Sequence, residues 1–302
     1  MKVALSQHAP AFLDLQSSLE KAVGIMEEAS KQQCDLLVFG ETWLTGYPVW
    51  LDHIPGVAYW DHEPTKQVYA QMHEQSLTIP GPALTFLQDH ARKLKINVCM
   101  GLNEKVAADK GHGTIYNAFV IINSKGELVH HHRKLMPTYT EKMLYGLGDA
   151  RGIKSVSLEG WNVSGLICWE HWMPLSRQAL HDSGEQIHIA LWPRVHEMHQ
   201  IASRHYAFEG RCYVLAVGQI LEASQLPQVL VSDINFDQDQ LLLNGGSCII
   251  GPNGKYLQPP VFDQECLVVD TLDLNAIRKE QMTLDVTGHY ARPDVFDFQV
   301  KR

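Results

Sequence analysis

Short apolar strands that alternate with amphipathic helices constrain the fold of this chain more than any other feature of its sequence. Residues 3–7 and 35–40 have the pattern of buried strands, and residues 15–31 between them carry apolar side chains at helical spacing. The second half of the chain repeats this plan, with strands predicted over residues 162–169 and 187–193. This order of elements predicts strands and helices that pack in layers around a large core.

The sequence also contains hairpins, which argue against a purely parallel, dinucleotide-binding sheet. Strands predicted over residues 114–123 and 127–134 flank a Ser-Lys-Gly turn, and two further strand pieces flank a Pro-Asn-Gly turn. A polar, aromatic insertion over roughly residues 51–78 separates the first strands from the next predicted helix. We therefore expect an α+β protein in which mixed sheets are layered with helices.

The organisation of the chain into domains follows from the absence of linkers. No Gly/Ser-rich or charged segment interrupts the 302 residues, so a single domain over residues 1–302 is predicted. The segment over about residues 285–302 has too little periodicity for a core element. We expect this tail to lie across a neighbouring subunit.

Charge and hydropathy exclude several classes of protein. The formal net charge of −9 and a pI near 5.9 argue against non-specific binding to nucleic acids or membranes. No apolar stretch reaches the ~18 residues that a membrane span needs, and the first residues lack the sustained apolar region of a signal peptide. The six cysteines form no CxxC pair, which is typical of free thiols in a reducing compartment. A cytoplasmic protein is expected.

Histidine is abundant, but its spacing does not predict a metal site. The 16 histidines are open to three interpretations: metal binding, acid–base chemistry or hydrogen-bonded packing. On a strand only His130 and His132 of the His-His-His run share a face. His196 and His199 have a spacing that a helix can use for a metal, yet neither pair has an obvious third ligand. The sequence also lacks a GxxxxGK[ST] phosphate loop, a GxSxG elbow and an HExxH helix.

Three strand ends carry reactive side chains. Cys168 ends an apolar strand, Glu41 follows the apolar run Leu-Leu-Val-Phe, and Lys134 ends the strand Leu-Val-His-His-His-Arg. Each has an ordinary alternative: a core thiol, a surface acid on a loop and a lysine at a strand edge. If they converge, they supply a nucleophile, a base and a cation for developing negative charge. The amides and dipole of a helix beginning near Pro174 are expected to favour a Cys168 thiolate.

The segments around these three residues resemble the catalytic motifs of the nitrilase superfamily of carbon–nitrogen hydrolases. The matching segments are FGETWLTGYP, HRKLMPTYTEKMLYGLGD and GLICWEHWMPL, in the order and spacing of that superfamily, and DVTGHYARPDVF resembles its closing segment. Cys-Trp-Glu followed by His resembles the nitrile-hydrolysing branch. The resemblance implies a four-layer αββα sandwich, doubled to αββα–αββα across a homodimer or higher homo-oligomer, and no metal or organic cofactor.

The resemblance also implies roles for individual residues. Cys168 would be the nucleophile, Glu41 the general base, Lys134 the stabilising cation and Glu141 a second acid beside the cysteine, although Glu141 is also open to being an exposed loop residue. We expect Glu170 to fix the turn after Cys168 through a salt bridge.

The activity implied is hydrolysis of a small-molecule nitrile to a carboxylic acid and ammonia, through a thioimidate and a thioester on Cys168. The predicted pocket residues, each also open to plain packing, are Tyr47, Trp50, Tyr139, Trp169, Trp172, Trp192 and His196. For Trp169 we also expect a backbone N–H contact with the anionic intermediate, and for His171, His196 and His199 a hydrogen-bonded scaffold. Alternatives are an amidase or N-carbamoyl amide hydrolase with the same residues, a non-catalytic binding protein, and a metalloenzyme that uses the histidines.

Overall fold

The computed structural model describes residues 1–106, 111–231, 237 and 239–301. The strands are β1 (Lys2–Gln7), β2 (Leu36–Phe39), β3 (Asn97–Lys105), β4 (Ile115–Ile122), β5 (Leu128–Arg133), β6 (Val156–Leu158), β7 (Trp161–Ile167), β8 (Ile187–Leu191), β9 (Tyr213–Val217), β10 (Ile220–Glu222), β11 (Leu241–Ile250), β12 (Tyr256–Phe262) and β13 (Cys266–Thr271). The α-helices are α1 (Leu15–Lys31), α2 (Trp50–His53), α3 (Glu63–Glu74), α4 (Pro82–Leu94), α5 (Pro174–Asp182), α6 (Glu197–Gly210), α7 (Gln228–Val231) and α8 (Leu274–Gln281).

The strands form two mixed sheets, and each contains a parallel centre with antiparallel edges. Among the described residues, the first sheet has the order β13-β1-β2-β3-β4-β5 and the second β10-β11-β9-β8-β7-β6, with β12 paired to β11. Strands β1, β2 and β3 run parallel, as do β7, β8 and β9. The predicted hairpins supply the antiparallel pairs β4–β5 and β11–β12.

The two sheets share one core, and helices cover them. Leu5 and Val38 of the first sheet lie in the same apolar cluster as Leu166 and Leu215 of the second. Helices α1 and α4 pack on the first sheet in a separate cluster, while α5 and α6 contribute to the core of the second sheet. This layering confirms the predicted αββα sandwich of an α+β protein.

Helix α1 shows why the local pattern predicts its element so well. Asp14 caps the helix by accepting a hydrogen bond from the Ser17 backbone N–H at 3.0 Å. The helix then buries Leu19, Ala22, Ile25, Met26 and Ala29 on one face. These positions have the i, i+3, i+4 spacing that the sequence displays.

Two helices lie where the apolar pattern does not predict them. Helix α3 occupies the middle of the polar insertion and buries only Val68 and Met72, so its apolar stripe is a single i, i+4 pair. Helix α8 follows β13 and buries only Ile277. Among the described residues, no helix combines the length and apolarity needed to cross a bilayer.

The tail beyond residue 285 forms turns rather than helices or strands as far as residue 301. Phe298 and Val300 pack against the core of their own chain, whereas Tyr290, Val295 and Phe296 are exposed. Residue 302 lies outside the described residues. The tail therefore contacts the core of its own chain and still presents apolar side chains outward.

Candidate active site

Glu41 is held at the end of β2 by contacts from both sheets. It is fully buried, and its Oε1 accepts hydrogen bonds from Asn117 Nδ2 at 2.7 Å and from Lys134 Nζ at 2.8 Å. Its backbone carbonyl accepts a hydrogen bond from Gln219 Nε2, which reaches across from the second sheet. A Cβ at Gly101 would collide with the Gly40 carbonyl, so this close approach of β3 requires glycine. These two contacts fix the Glu41 backbone independently of its side chain.

Lys134 follows β5 directly and lies between two carboxylates. Its ammonium donates to Glu41 and to both oxygens of Glu141, at 3.0 and 2.7 Å. Glu141 is buried in a 3-10 helix, where its Oε2 accepts from the Thr138 N–H at 2.8 Å and its Oε1 from the Tyr47 hydroxyl at 2.9 Å. Glu141 is therefore a buried member of this cluster, not an exposed loop residue.

Cys168 lies at the junction of β7 and a 3-10 helix over Cys168–Trp172. It has a positive φ of 52° and is only 4% exposed. A left-handed backbone at a cysteine costs roughly 1 to 3 kcal/mol, and such strain is concentrated at functional sites. Its sulfur and carboxylate oxygens of Glu41 and Glu141 all lie within 4.8 Å of one another. The three predicted strand ends therefore converge.

The ionisation state of Cys168 differs from the prediction, which was a thiolate stabilised by the N-terminus of a helix. Burial and the charge of Glu41 raise the pKa of Cys168 well above its usual value, while Lys134 and a hydrogen bond from the Trp169 N–H oppose them. The 3-10 helix separates Cys168 from α5, so the α5 N-terminus is not adjacent to the sulfur. The resting side chain is a neutral thiol that needs a base.

The pKa of Glu41 suits the role of that base. Burial raises its pKa to about 7, against the opposing charge of Lys134. Burial alone would favour a neutral lysine, but Glu141 and Glu41 raise the pKa of Lys134 above its usual value. The cluster thus contains a permanent ammonium beside a carboxyl group that ionises near neutrality.

Glu170 holds the turn that carries Cys168. Its carboxylate accepts from the N–H groups of Ile167 and Leu135, each at 2.7 Å, and contacts His132 Nε2 at 3.0 Å. Burial alone would raise its pKa, yet the charge and hydrogen bond of His132 and the two amides lower it. These contacts tie the end of β5 to the end of β7, in agreement with the structural role expected of Glu170.

Three of the 16 histidines form a buried hydrogen-bonded chain with Glu185. His171 Nδ1 lies 2.6 Å from the Cys168 carbonyl oxygen, and its Nε2 lies 3.0 Å from His188 Nε2. His188 then contacts Glu185 at 2.9 Å, and Glu185 contacts His181 at 2.7 Å. Burial lowers the pKa of His181, but its bonds to carboxylates raise it overall to about 9. Among the described residues, the potential metal ligands that lie within 4.8 Å of one another are Glu41, Glu141 and Cys168, and the Lys134 ammonium already pairs with both carboxylates.

A cavity of about 500 Å³ opens above Cys168. It is lined by Tyr47, Val49, Asp52, His53, Thr138, Tyr139, Thr140, Cys168, Trp169, Pro193, Arg194, His199 and Leu243. Tyr47, Tyr139 and Trp169 are thus the predicted pocket residues that line it.

The other four predicted pocket residues pack elsewhere in the described structure. Trp50 is fully buried in an apolar cluster, and Trp192 is stacked on His171 with ring centroids 4.6 Å apart. Trp172 packs edge-on against Trp169, and His196 Nε2 lies 3.1 Å from Asn244 Oδ1. Nearness to the motifs in the sequence predicts that these residues surround Cys168, but the directions of their side chains depend on tertiary packing.

Sequence reasoning missed several polar residues of the cavity. Arg194 follows β8 after Trp192 and Pro193, so it lies at the carboxyl edge that β8 shares with the neighbouring strand β7. That position was a usable signal, since ligands collect at the carboxyl ends of parallel strands. Asp52 and His53 come from the polar insertion, whose apolar pattern did not indicate how it folds.

Comparison with known proteins decides the family. The family model described as "Carbon-nitrogen hydrolase" matches residues 2–280. The chain belongs to the carbon–nitrogen hydrolase family. This hydrolase is 37% identical to "Nitrilase 2" from an unknown prokaryotic organism over 99% of this chain and 92% of that one. It is 35% identical to a "Nitrilase" from Pseudomonas syringae pv. syringae, over 98% of this chain and 88% of that one.

A solved structure agrees with the fold of this carbon–nitrogen hydrolase. The carbon–nitrogen hydrolase from Helicobacter pylori G27 superposes with a TM-score of 0.74, covering 97% of this chain and 96% of that one at 17% identity. The likeness extends over both sheets and their helices because nearly the whole of each chain is aligned. It supports the αββα architecture independently of the sequence motifs.

Proposed function

We propose that this carbon–nitrogen hydrolase converts an organic nitrile to a carboxylic acid and ammonia, with Cys168 as nucleophile. The observation that carries the proposal is the buried cluster in which the Cys168 thiol lies beside Glu41, Glu141 and Lys134. The names of the relatives, which are nitrilases at 30–37% identity, favour a nitrile over an amide.

The first step is attack of sulfur on the nitrile carbon. Oε2 of Glu41 has no hydrogen-bond partner among the described residues and accepts the Cys168 proton. The new S–C bond forms as an electron pair of C≡N moves to nitrogen. The proton held by Glu41 then reaches that nitrogen, which gives a neutral thioimidate. Lys134 and the Trp169 N–H stabilise the negative charge that develops on nitrogen during the attack.

Two water molecules complete the reaction. The first adds to the thioimidate carbon and passes both of its protons, one after the other, through Glu41 to nitrogen. The C–N bond then breaks, ammonia departs, and a thioester remains on Cys168. The second adds to the thioester carbonyl, the C–S bond breaks, and the sulfur regains its proton. Lys134 keeps Glu41 in place throughout, and Glu141 fixes Lys134 through two hydrogen bonds.

The reaction requires an ionised Glu41, so the rate should follow its pKa. Because burial raises that pKa to about 7, acidification protonates the base and kcat/KM is expected to fall about tenfold per pH unit below it. Above about pH 7 the rate should level. The measurement is kcat/KM from pH 5 to 9 with a nitrile that does not ionise. Enzyme kept at pH 5 and assayed at pH 8 controls for denaturation, and a flat profile from pH 5.5 to 8 would contradict the assignment.

An amidase or N-carbamoyl amide hydrolase would use the same residues. A panel of aliphatic, aromatic and arylaceto nitriles, each paired with its amide, separates the two functions. We expect carboxylic acid and ammonia from the nitriles at rates well above those from the amides. Faster consumption of the amides would favour the alternative.

We also propose a single domain that forms a homodimer or higher homo-oligomer in the cytoplasm. Large apolar side chains are exposed on and beside α5 and α6: Trp169, Trp172, Met173, Leu175, Met198, Ile201 and Phe208. Such a patch is typical of a protein–protein interface, and pairing through it would produce the αββα–αββα arrangement. The exposed apolar residues of the tail support a contact with the neighbouring subunit. The six free cysteines support the proposed location, because free thiols are typical of a reducing compartment such as the cytoplasm. Sedimentation velocity tests the assembly.

A further inference from the structure

Arg194 is a charged residue of the cavity that the proposed chemistry does not use. It lies three residues beyond Leu191, where the last Cα pairing of β8 with β7 occurs, and is partly buried. Among the described residues, no hydrogen bond or ion pair involves its guanidinium. Arg133 and Arg177 offer a contrast, since each is partly buried and binds a glutamate, Glu104 and Glu209 respectively. A guanidinium left free in a binding cavity is arranged to meet an anion from outside the chain.

The neighbours of Arg194 suit an anion as well. His199 also lines the cavity, and its Nδ1 accepts a hydrogen bond from the His196 backbone N–H at 3.1 Å, which leaves Nε2 as the donor of the neutral ring. Burial, His196 and Arg194 lower the pKa of His199 to about 4, so the ring is neutral at pH 7. The lining carboxylate, Asp52, is exposed, accepts from Thr140 Oγ1 at 3.0 Å and forms no ion pair with Arg194.

We propose that the substrate is a nitrile that carries a carboxylate, and that Arg194 binds this carboxylate. The inference rests on the proposed function, because it names the class of nitrile for that site. The guanidinium fork matches the two carboxylate oxygens, and partial burial strengthens the pairing.

The charges near Cys168 determine which end of the substrate enters first. Glu41 and Glu141 together carry one more negative charge than Lys134 compensates when both are ionised. An anionic group is therefore repelled from the base of the cavity, whereas an uncharged nitrile is accepted there. The carboxylate is directed to the outer part of the cavity, and the preferred substrate has several bonds between C≡N and the carboxylate.

The test compares a charged nitrile with an uncharged one of the same shape. The pair is 4-cyanobutanoate and 4-cyanobutanamide, and loss of the nitrile is measured by chromatography so that amide hydrolysis does not interfere. Wild type is compared with Arg194→Gln, Arg194→Lys and Arg292→Gln. The last removes the same charge from an exposed position in the tail, where Arg292 pairs with Asp294.

We expect wild type to prefer 4-cyanobutanoate, measured as the ratio of kcat/KM for the two nitriles. Arg194→Gln should lower that ratio roughly tenfold to hundredfold, the usual effect of losing a charge-assisted pair, and Arg194→Lys should lower it less. Arg292→Gln should retain the wild-type ratio. An equal ratio in wild type and Arg194→Gln, with both nitriles consumed, would overturn the inference alone. If wild type consumes neither nitrile nor any nitrile of the panel, the proposed function fails and the inference fails with it.

Discussion

Replacing Cys168 by alanine is expected to reduce nitrile hydrolysis by roughly 10⁴- to 10⁶-fold while the protein remains folded. The sulfur is the atom that forms the bond to carbon, and neither Glu41 nor Lys134 can substitute for it in that step. Alanine removes little buried volume and meets the same left-handed backbone, so the free energy of unfolding should fall by only about 1 kcal/mol. Carboxylic acid production measures the first effect and thermal unfolding the second.

The matched control is Cys99→Ala. Cys99 is also a fully buried thiol, but it lies in the apolar core, where burial alone raises its pKa. Its removal should cost a little stability and leave kcat near the wild-type value. Retention of nitrile hydrolysis by a correctly folded Cys168→Ala protein would contradict the nucleophile assignment.

Replacing Lys134 by methionine should abolish activity and also destabilise the protein. The variant leaves Glu41 and Glu141 buried together without the ammonium that bridges them. Removal of one partner from a buried ionic cluster typically costs about 3 to 5 kcal/mol, because the remaining charge is uncompensated. Urea unfolding at pH 8, where wild-type Glu41 is ionised, measures the loss in the free energy of unfolding.

Two further variants identify the cause of that loss. Lys66→Met breaks the exposed pair with Asp61 and should cost less than about 1 kcal/mol. The double variant Lys134→Met, Glu141→Gln removes one of the two stranded charges, so it should recover part of the stability and none of the activity. A Lys134→Met protein as stable as Lys66→Met would contradict the view that the ammonium stabilises this cluster.

The fold was predictable because its signals are local. The apolar stripe of α1 and the continuous apolar run of β2 can be read within a short window, and the structure confirms both. The convergence of Glu41, Lys134 and Cys168 could also be predicted, since each lies within two residues of the end of a strand. Helix α3 escaped prediction because two buried residues do not make a visible period.

What the sequence could not supply is the direction and environment of side chains. Trp192 and Trp169 lie in similar positions just after neighbouring strands, yet one is buried against His171 and the other is half exposed at the cavity. The prediction that Cys168 is a thiolate was wrong for a related reason. A helix dipole can be inferred from local sequence, whereas complete desolvation and the nearness of Glu41 arise only when two sheets meet.

The buried chain of histidines ends at the backbone carbonyl of Cys168, and this limits what the chain can do for catalysis. Since the Cys168 carbonyl only accepts, His171 must carry its proton on Nδ1, which makes its Nε2 an acceptor for His188. An amide oxygen neither takes up nor releases a proton at ordinary pH. The chain therefore does not conduct protons to the sulfur. It acts instead as a structural brace: the Cys168 carbonyl fixes the tautomer of His171, and Glu185 anchors the far end of the chain through His188 and His181, so that the backbone of the nucleophile is held in place.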